Sequence, residues 1–137
     1  TRDRAGRGQP LFDEPLVWAA PVRFGAWRAS PLPIVVYETG SSARRAALGA
    51  LRSRRQPFRV VCESASPAGM LAAVEGGLAV ALFTRCSVPE GYEILGRKQG
   101  LPVLPSLPVV LLRSRAPAGP RAADALEEQV LRTLGRR

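Results

Sequence analysis

The chain has 137 residues, 46% of them hydrophobic and 23% charged, which suits one globular domain with its own core. Twenty basic residues against 11 acidic ones give a net charge of +9, and Lys98 is the only lysine. Most of the excess lies in residues 1–60, with 11 basic and four acidic groups. There is no histidine, which excludes Ser-His-Asp and Cys-His catalysis and any His-ligated metal. Two cysteines, Cys62 and Cys86, are too few for a four-cysteine zinc site or a disulfide framework. Cys62 lies in an apolar run and is expected to be a buried, inert thiol.

No run approaches the roughly 18 apolar residues of a membrane span. The opening Thr1-Arg2-Asp3-Arg4 carries no signal-peptide core and no initiator Met, so the chain reads as a piece of a longer protein.

Residues 1–10 are polar and rich in Arg and Gly and read as irregular. Leu16-Val17-Trp18-Ala19-Ala20, stopped by Pro21, has the pattern of a strand. Residues 21–33 read as loop. Ile34-Val35-Val36-Tyr37 is β-branched and aromatic, hence a strand. Thr39-Gly40-Ser41-Ser42 then supplies a turn and a cap. Ala43 to about Arg55 forms a helix with Ala47, Leu48 and Leu51 on one face. Phe58 to Cys62 is the next strand. Ser66-Pro67 starts a second helix, because Ser caps and Pro has no N–H to leave unpaired. Met70, Leu71 and Val74 form its inner stripe, and Gly76-Gly77 stops it. Leu78 to Phe83 is continuously apolar, as in a strand covered on both faces.

Tyr92 to Leu95 is a short strand, residues 96–106 a loop, and Leu107 to Leu112 a last strand whose Pro108 suits an edge. Gly119-Pro120 opens a final helix to Leu134, with Ala122, Leu126 and Val130 every four residues. Strand–helix–strand–helix–strand with short connections predicts a parallel α/β sheet with right-handed crossovers.

In an open α/β sheet, ligands bind at the carboxyl ends of strands, over helix N-termini that favour anions. Thr39, Gly40, Ser41 and Ser42 occupy one such loop, and Ser64 and Ser66 the next. The plainer alternative is that Ser42 and Ser66 are only helix caps. Arg44, in the first helical turn, either reaches a ligand or faces solvent. Glu38 and Glu63 both follow strands, but strand-end carboxylates are usually solvated and make a weak acid–base pair. Helix 43–55 also bears Arg45, Arg52, Arg54 and Arg55. Without interleaved aromatics, a solvated face explains them better than nucleic-acid binding. There is no Walker A, G-x-G-x-x-G or G-x-S-x-G pattern, so neither nucleotide binding nor hydrolase chemistry is indicated.

The segments LFDEPLVWAAP (11–21), PLPIVVYETGSSARRAALGAL (31–51), SPAGMLAAVEGGLAVALFTRCSVP (66–89) and LPVVLLRSRAP (107–117) together resemble the effector-binding domain of LysR-type transcriptional regulators. The resemblance runs from about Leu11 to about Leu134. It departs from the family at Ala79, where a second Gly is frequent, at Thr84, where Pro often closes the strand, and at Ser41, where Cys is frequent.

The resemblance implies a type II periplasmic-binding-protein fold. A parallel-sheet, Rossmann-like second lobe would span residues 21–106. Residues 1–20 and 107–137 would be crossover strands and the remnant of an incomplete first lobe. It implies a cytoplasmic, non-enzymatic, ligand-sensing domain without metal or cofactor, binding a small acidic effector. The expected ligand-binding residues are Thr39, Gly40, Ser41, Ser42, Ser64, Ser66, Phe83 and Thr84. A solute-binding receptor of a transport system is the alternative. DNA would be bound only through an N-terminal domain lacking here. A homo-oligomer, a dimer or higher, is expected, associating through exposed apolar faces of helix 120–134 and strand 16–20.

Overall fold

The structure is a computed structural model that describes residues 8–113 and 120–135. The chain divides into two compact units, one formed by Pro15–Pro105 and the other by Thr1–Glu14 with Ser106–Arg137. In chain order the elements are β1 (Gln9–Pro21), β2 (Leu32–Tyr37), α1 (Ser42–Ser53), β3 (Phe58–Ser64), α2 (Pro67–Glu75), β4 (Val80–Thr84), β5 (Tyr92–Leu95), β6 (Ser106–Leu111) and α3 (Pro120–Leu134). The sheet runs β3-β2-β4-β1-β5, and β6 pairs with β1.

β2 is parallel to both β3 and β4, as the alternation of strands and helices predicts. β1 is antiparallel to β4 and to β5, so the sheet is mixed rather than wholly parallel. The connection explains this. β1 is joined to β2 by residues 22–31, which hold only a short 3-10 turn rather than a helical crossover, so right-handed crossover geometry does not constrain its direction.

β1 starts before the predicted Leu16, because Gln9 to Pro15 is also extended. Its inner half, Leu16 to Ala20, is at most 9% exposed, between β4 and β5. The expectation that strand 16–20 lacks cover is therefore wrong. Trp18 lies opposite Leu82 and Leu95 and is only 1% exposed. Among the described residues its indole Nε1 has no hydrogen-bond partner.

α1 buries Ala43, Ala47, Leu48 and Leu51, close to the predicted face. α2 buries Met70 and Val74 and lies against β2, β3 and β4. β4 starts later than predicted: Leu78 precedes it and is largely exposed, whereas Val80 to Phe83 are fully buried. Gly77 makes this entry possible. Its φ is +73°, and a Cβ there would fall inside the ring of Phe24.

β3 is an edge strand and alternates half-buried with exposed residues. Cys62 is therefore half-buried, not the enclosed thiol expected from its apolar neighbours. With a partner on one side only, β3 leaves even an apolar run partly open.

In the other unit, the half-buried stripe of α3 runs through Ala123, Glu127, Val130, Leu131 and Leu134. Leu126 is largely exposed, so the predicted Ala122–Leu126–Val130 stripe is rotated by about one residue. Arg113 pairs with Asp124 at 2.6 Å and Glu127 at 3.3 Å at the exposed margin of that face.

Candidate functional site

β2, β3 and β4 are parallel, so Tyr37, Ser64 and Thr84 all end at one edge of the sheet. Tyr37 and Ser64 are register partners. Three loops leave from this edge.

The loop after β2 carries Thr39 and Gly40, both exposed, with Gly40 at φ +99°. The Ser41 N–H donates to the Glu38 carbonyl at 3.2 Å, closing the turn. Ser41, not Ser42, is the N-cap of α1: its hydroxyl accepts from the Arg44 N–H at 3.4 Å. Ser42 is the first helical residue, and among the described residues its hydroxyl has no partner. The Ser42 and Ala43 N–H groups also have no backbone acceptor there, as at any helix start.

The loop after β3 repeats the arrangement. Ser66 caps α2 by accepting from the Gly69 N–H at 3.3 Å, and Pro67 fills the first helical position. The Ser64 hydroxyl donates to the Ser66 carbonyl at 3.0 Å and accepts the Ser66 N–H at 3.2 Å, so its proton is used locally. Capping and ligand binding are compatible in Ser41 and Ser66. Each hydroxyl accepts from the helix and keeps its own proton to donate.

The loop after β4 is a short 3-10 turn, Arg85–Ser87. The Thr84 and Ser87 hydroxyls lie 2.8 Å apart, and Ser87 donates to the Thr84 carbonyl at 2.9 Å. The Cys86 thiol is 3.6 Å from the Thr84 hydroxyl. Phe83 is fully buried, and its ring meets Tyr92 edge-on at 6.3 Å, so it offers no surface at this edge.

Several features were not legible in the chain. Tyr37 faces Ser87 and Cys86, and burial raises its phenol above the usual tyrosine range while the Ser87 hydrogen bond pulls the other way. The Arg44 Nη1 donates to the Tyr37 carbonyl at 3.0 Å and pairs with the Glu63 carboxylate at 2.6 Å. Arg44 thus ties the ends of β2 and β3 together. Glu63 is engaged by Arg44 rather than by Glu38. The capping serines carry a sequence signal; the Arg44–Glu63 pair, 19 residues apart, has none.

Open cavities elsewhere are lined by Trp27, Arg28, Glu93, Lys98 and Gln99, and by residues that include Arg23, Glu75 and Tyr92. In the first, Gln99 donates to Glu93 at 2.9 Å, and in the second Tyr92 donates to Glu75 at 2.7 Å. The edge beyond β2, β3 and β4 differs in gathering two capped helix N-termini with the hydroxyls of Ser41, Ser42 and Ser66.

Comparison with known proteins agrees with this architecture. A curated relative, the HTH-type transcriptional regulator DgdR of Burkholderia cepacia, is 32% identical over 98 residues, 72% of this chain. The chain spans about a third of that relative's length, 33%. Among solved structures, the CcmR regulatory domain of Synechocystis PCC6803 in complex with 2-PG superposes with a TM-score of 0.65 at 16% identity, covering 98% of this chain and 71% of that one. The bromide-bound regulatory domain of HypT from Salmonella typhimurium gives a TM-score of 0.67 at 12% identity, covering 91% of this chain and 64% of that one. The model of the LysR substrate binding domain matches residues 2–135, and the chain belongs to that family.

Proposed function

We propose that this chain senses a small acidic metabolite on behalf of a LysR-type, DNA-binding transcriptional regulator. The observation that carries the reading is the family match along residues 2–135. The hydroxyls and helix N–H groups gathered after β2, β3 and β4 supply the chemistry. In this reading Thr39, Gly40, Ser41, Ser42, Ser66 and Thr84 contact the effector. Ser64 shapes its loop, and Phe83 supports the face from beneath. Residues 21–106 act as the effector-facing lobe, and residues 1–20 and 107–137 lead to and from a first lobe.

Two helix N-termini at one edge favour an anion, and the Salmonella domain that holds a bromide ion supports that choice. The site works by binding alone, without catalysis, metal or cofactor. DNA is contacted by an N-terminal domain outside this chain, in a cytoplasmic homodimer. The same fold serves solute receptors of transport systems, but the curated relative is a transcriptional regulator, which favours gene control.

Calorimetry on the full-length protein with a panel of small organic acids tests the reading. A true effector at 100 times its dissociation constant adds about 2.7 kcal/mol of stability. Losing one hydrogen bond to its charged group costs about 1.5–3 kcal/mol of affinity, so Ser41→Ala and Ser66→Ala bind it more weakly. Equal affinity in both variants would remove these loops from the site. In a gel shift at physiological salt with competitor DNA, residues 1–137 alone give no sequence-specific band, despite +9. A surviving specific band would place DNA recognition inside this chain.

A further inference from the structure

At the edge beyond β2 and β3, Arg44 is the arginine held in a fixed position. Its side chain is 18% exposed, and Nη1 alone serves both the Tyr37 carbonyl and Glu63. Guanidinium carries five donors in a rigid fork. Among the described residues Nη2 and Nε have no partner, and neither is sealed from solvent, since Trp18 Nε1 is the one buried polar atom left unpaired. Glu63 is 41% exposed, and only its Oε1 meets Arg44. Arg44 is therefore oriented through Nη1 and open along its other edge, in the first turn of the helix that Ser41 caps.

We infer that Arg44 is a specificity-determining residue of this face, taking one acid group of the effector on its Nη2–Nε edge, with Glu63 as the positioning residue that sets the charge it accepts. The inference rests on the effector-binding reading above. Arg44 and Glu63 cancel as formal charges. What remains is a planar, bidentate donor pair beside two helix N-termini, which suits a planar carboxylate. A phosphate dianion meets the same donors but also a fixed carboxylate nearby. At about 6 Å in a water-like dielectric, each ligand charge loses about threefold in affinity to Glu63. Glu63 thus takes about threefold from a monoanion and about tenfold from a dianion, which offsets much of what the second charge of a phosphate monoester would otherwise gain over a carboxylate at Arg44.

The test titrates the full-length protein with sodium acetate and with inorganic phosphate at pH 8, following the amide signals of residues 39–45 by NMR. Glu63→Gln keeps a hydrogen-bond acceptor at the same place and removes the charge. It is expected to tighten phosphate by about tenfold and acetate by about threefold. Arg44→Lys keeps the charge but not the fork and weakens acetate. Arg44→Met abolishes the response to both ions, and Arg44→Lys carries the test if that variant does not fold. Equal tightening of the two ions in Glu63→Gln would overturn the charge-setting role. If both ions perturb these amides but the Arg44 variants bind them unchanged, Arg44 is only a strut, and the effector face stands without it. If neither ion perturbs residues 39–45 in the parent, the inference fails. If the organic-acid effector found by calorimetry also leaves these amides unmoved, the assignment of the face fails with it.

Discussion

Gly77→Ala isolates what lets β4 enter the sheet, and with it where Thr84 ends. At φ +73° an L-residue costs about 1–2 kcal/mol that glycine does not. The new methyl also falls within the Phe24 ring, which the Arg23 guanidinium covers at 4.8 Å, so the ring must be displaced. Displacing a packed side chain typically costs about 1–3 kcal/mol. The sum is about 2–5 kcal/mol. At about 4 °C per kcal/mol for a chain of this size, Tm falls by at least about 8 °C. A double-mutant cycle separates the two causes. In a Phe24→Ala background only the backbone strain remains, so Gly77→Ala then costs about 1–2 kcal/mol, and the coupling equals the ring term. Urea unfolding of the four proteins gives each quantity. Strictly additive single variants, or a loss under about 0.5 kcal/mol for Gly77→Ala alone, would refute the close approach to Phe24.

Three further outcomes are expected. Ser41→Ala and Ser66→Ala each lower stability by about 1 kcal/mol in urea unfolding, because each hydroxyl caps a helix. Leu51→Ala, on the buried face of α1, costs about 2–5 kcal/mol, and circular dichroism melts check it. The Tyr92 phenol is pushed up to about 12 by burial and by its hydrogen bond to Glu75. The folded state thus holds this proton more tightly than the unfolded chain, so stability present below pH 10 is lost as pH rises from 10 to 12. Tyr92→Phe flattens that slope in urea midpoints between pH 9 and 11 and leaves the smaller part due to Tyr37, which is shifted in the same direction.

Order, type and approximate span of most elements were legible in the sequence because local interactions set them. Ser66-Pro67 marks a helix start wherever the helix ends up, and Ile34-Val35-Val36 is extended for steric reasons of its own. The two hydroxyl loops could likewise be assigned to the carboxyl ends of strands, since strand–helix connectivity alone puts them there. The caps were legible to within one residue: Ser41 rather than Ser42 holds α1, a difference set by backbone dihedrals. The apolar runs Leu16 to Ala20 and Leu107 to Leu112 likewise marked β1 and β6 as strands.

Tertiary structure decided what depends on partners distant in the chain. Burial of Leu16 to Ala20 follows from β1 lying between β4 and β5, and half-burial of Cys62 from β3 lying at the edge. The rotation of α3 that exposes Leu126 was likewise settled by the fold, because a helical repeat defines a stripe but not its angle to a neighbour. At the site, only the fold joins Arg44 to Glu63 and Tyr37 to Ser87. Spacing along the chain carries no record of such pairs, since side chains far apart in sequence meet only once the strands between them have found their register.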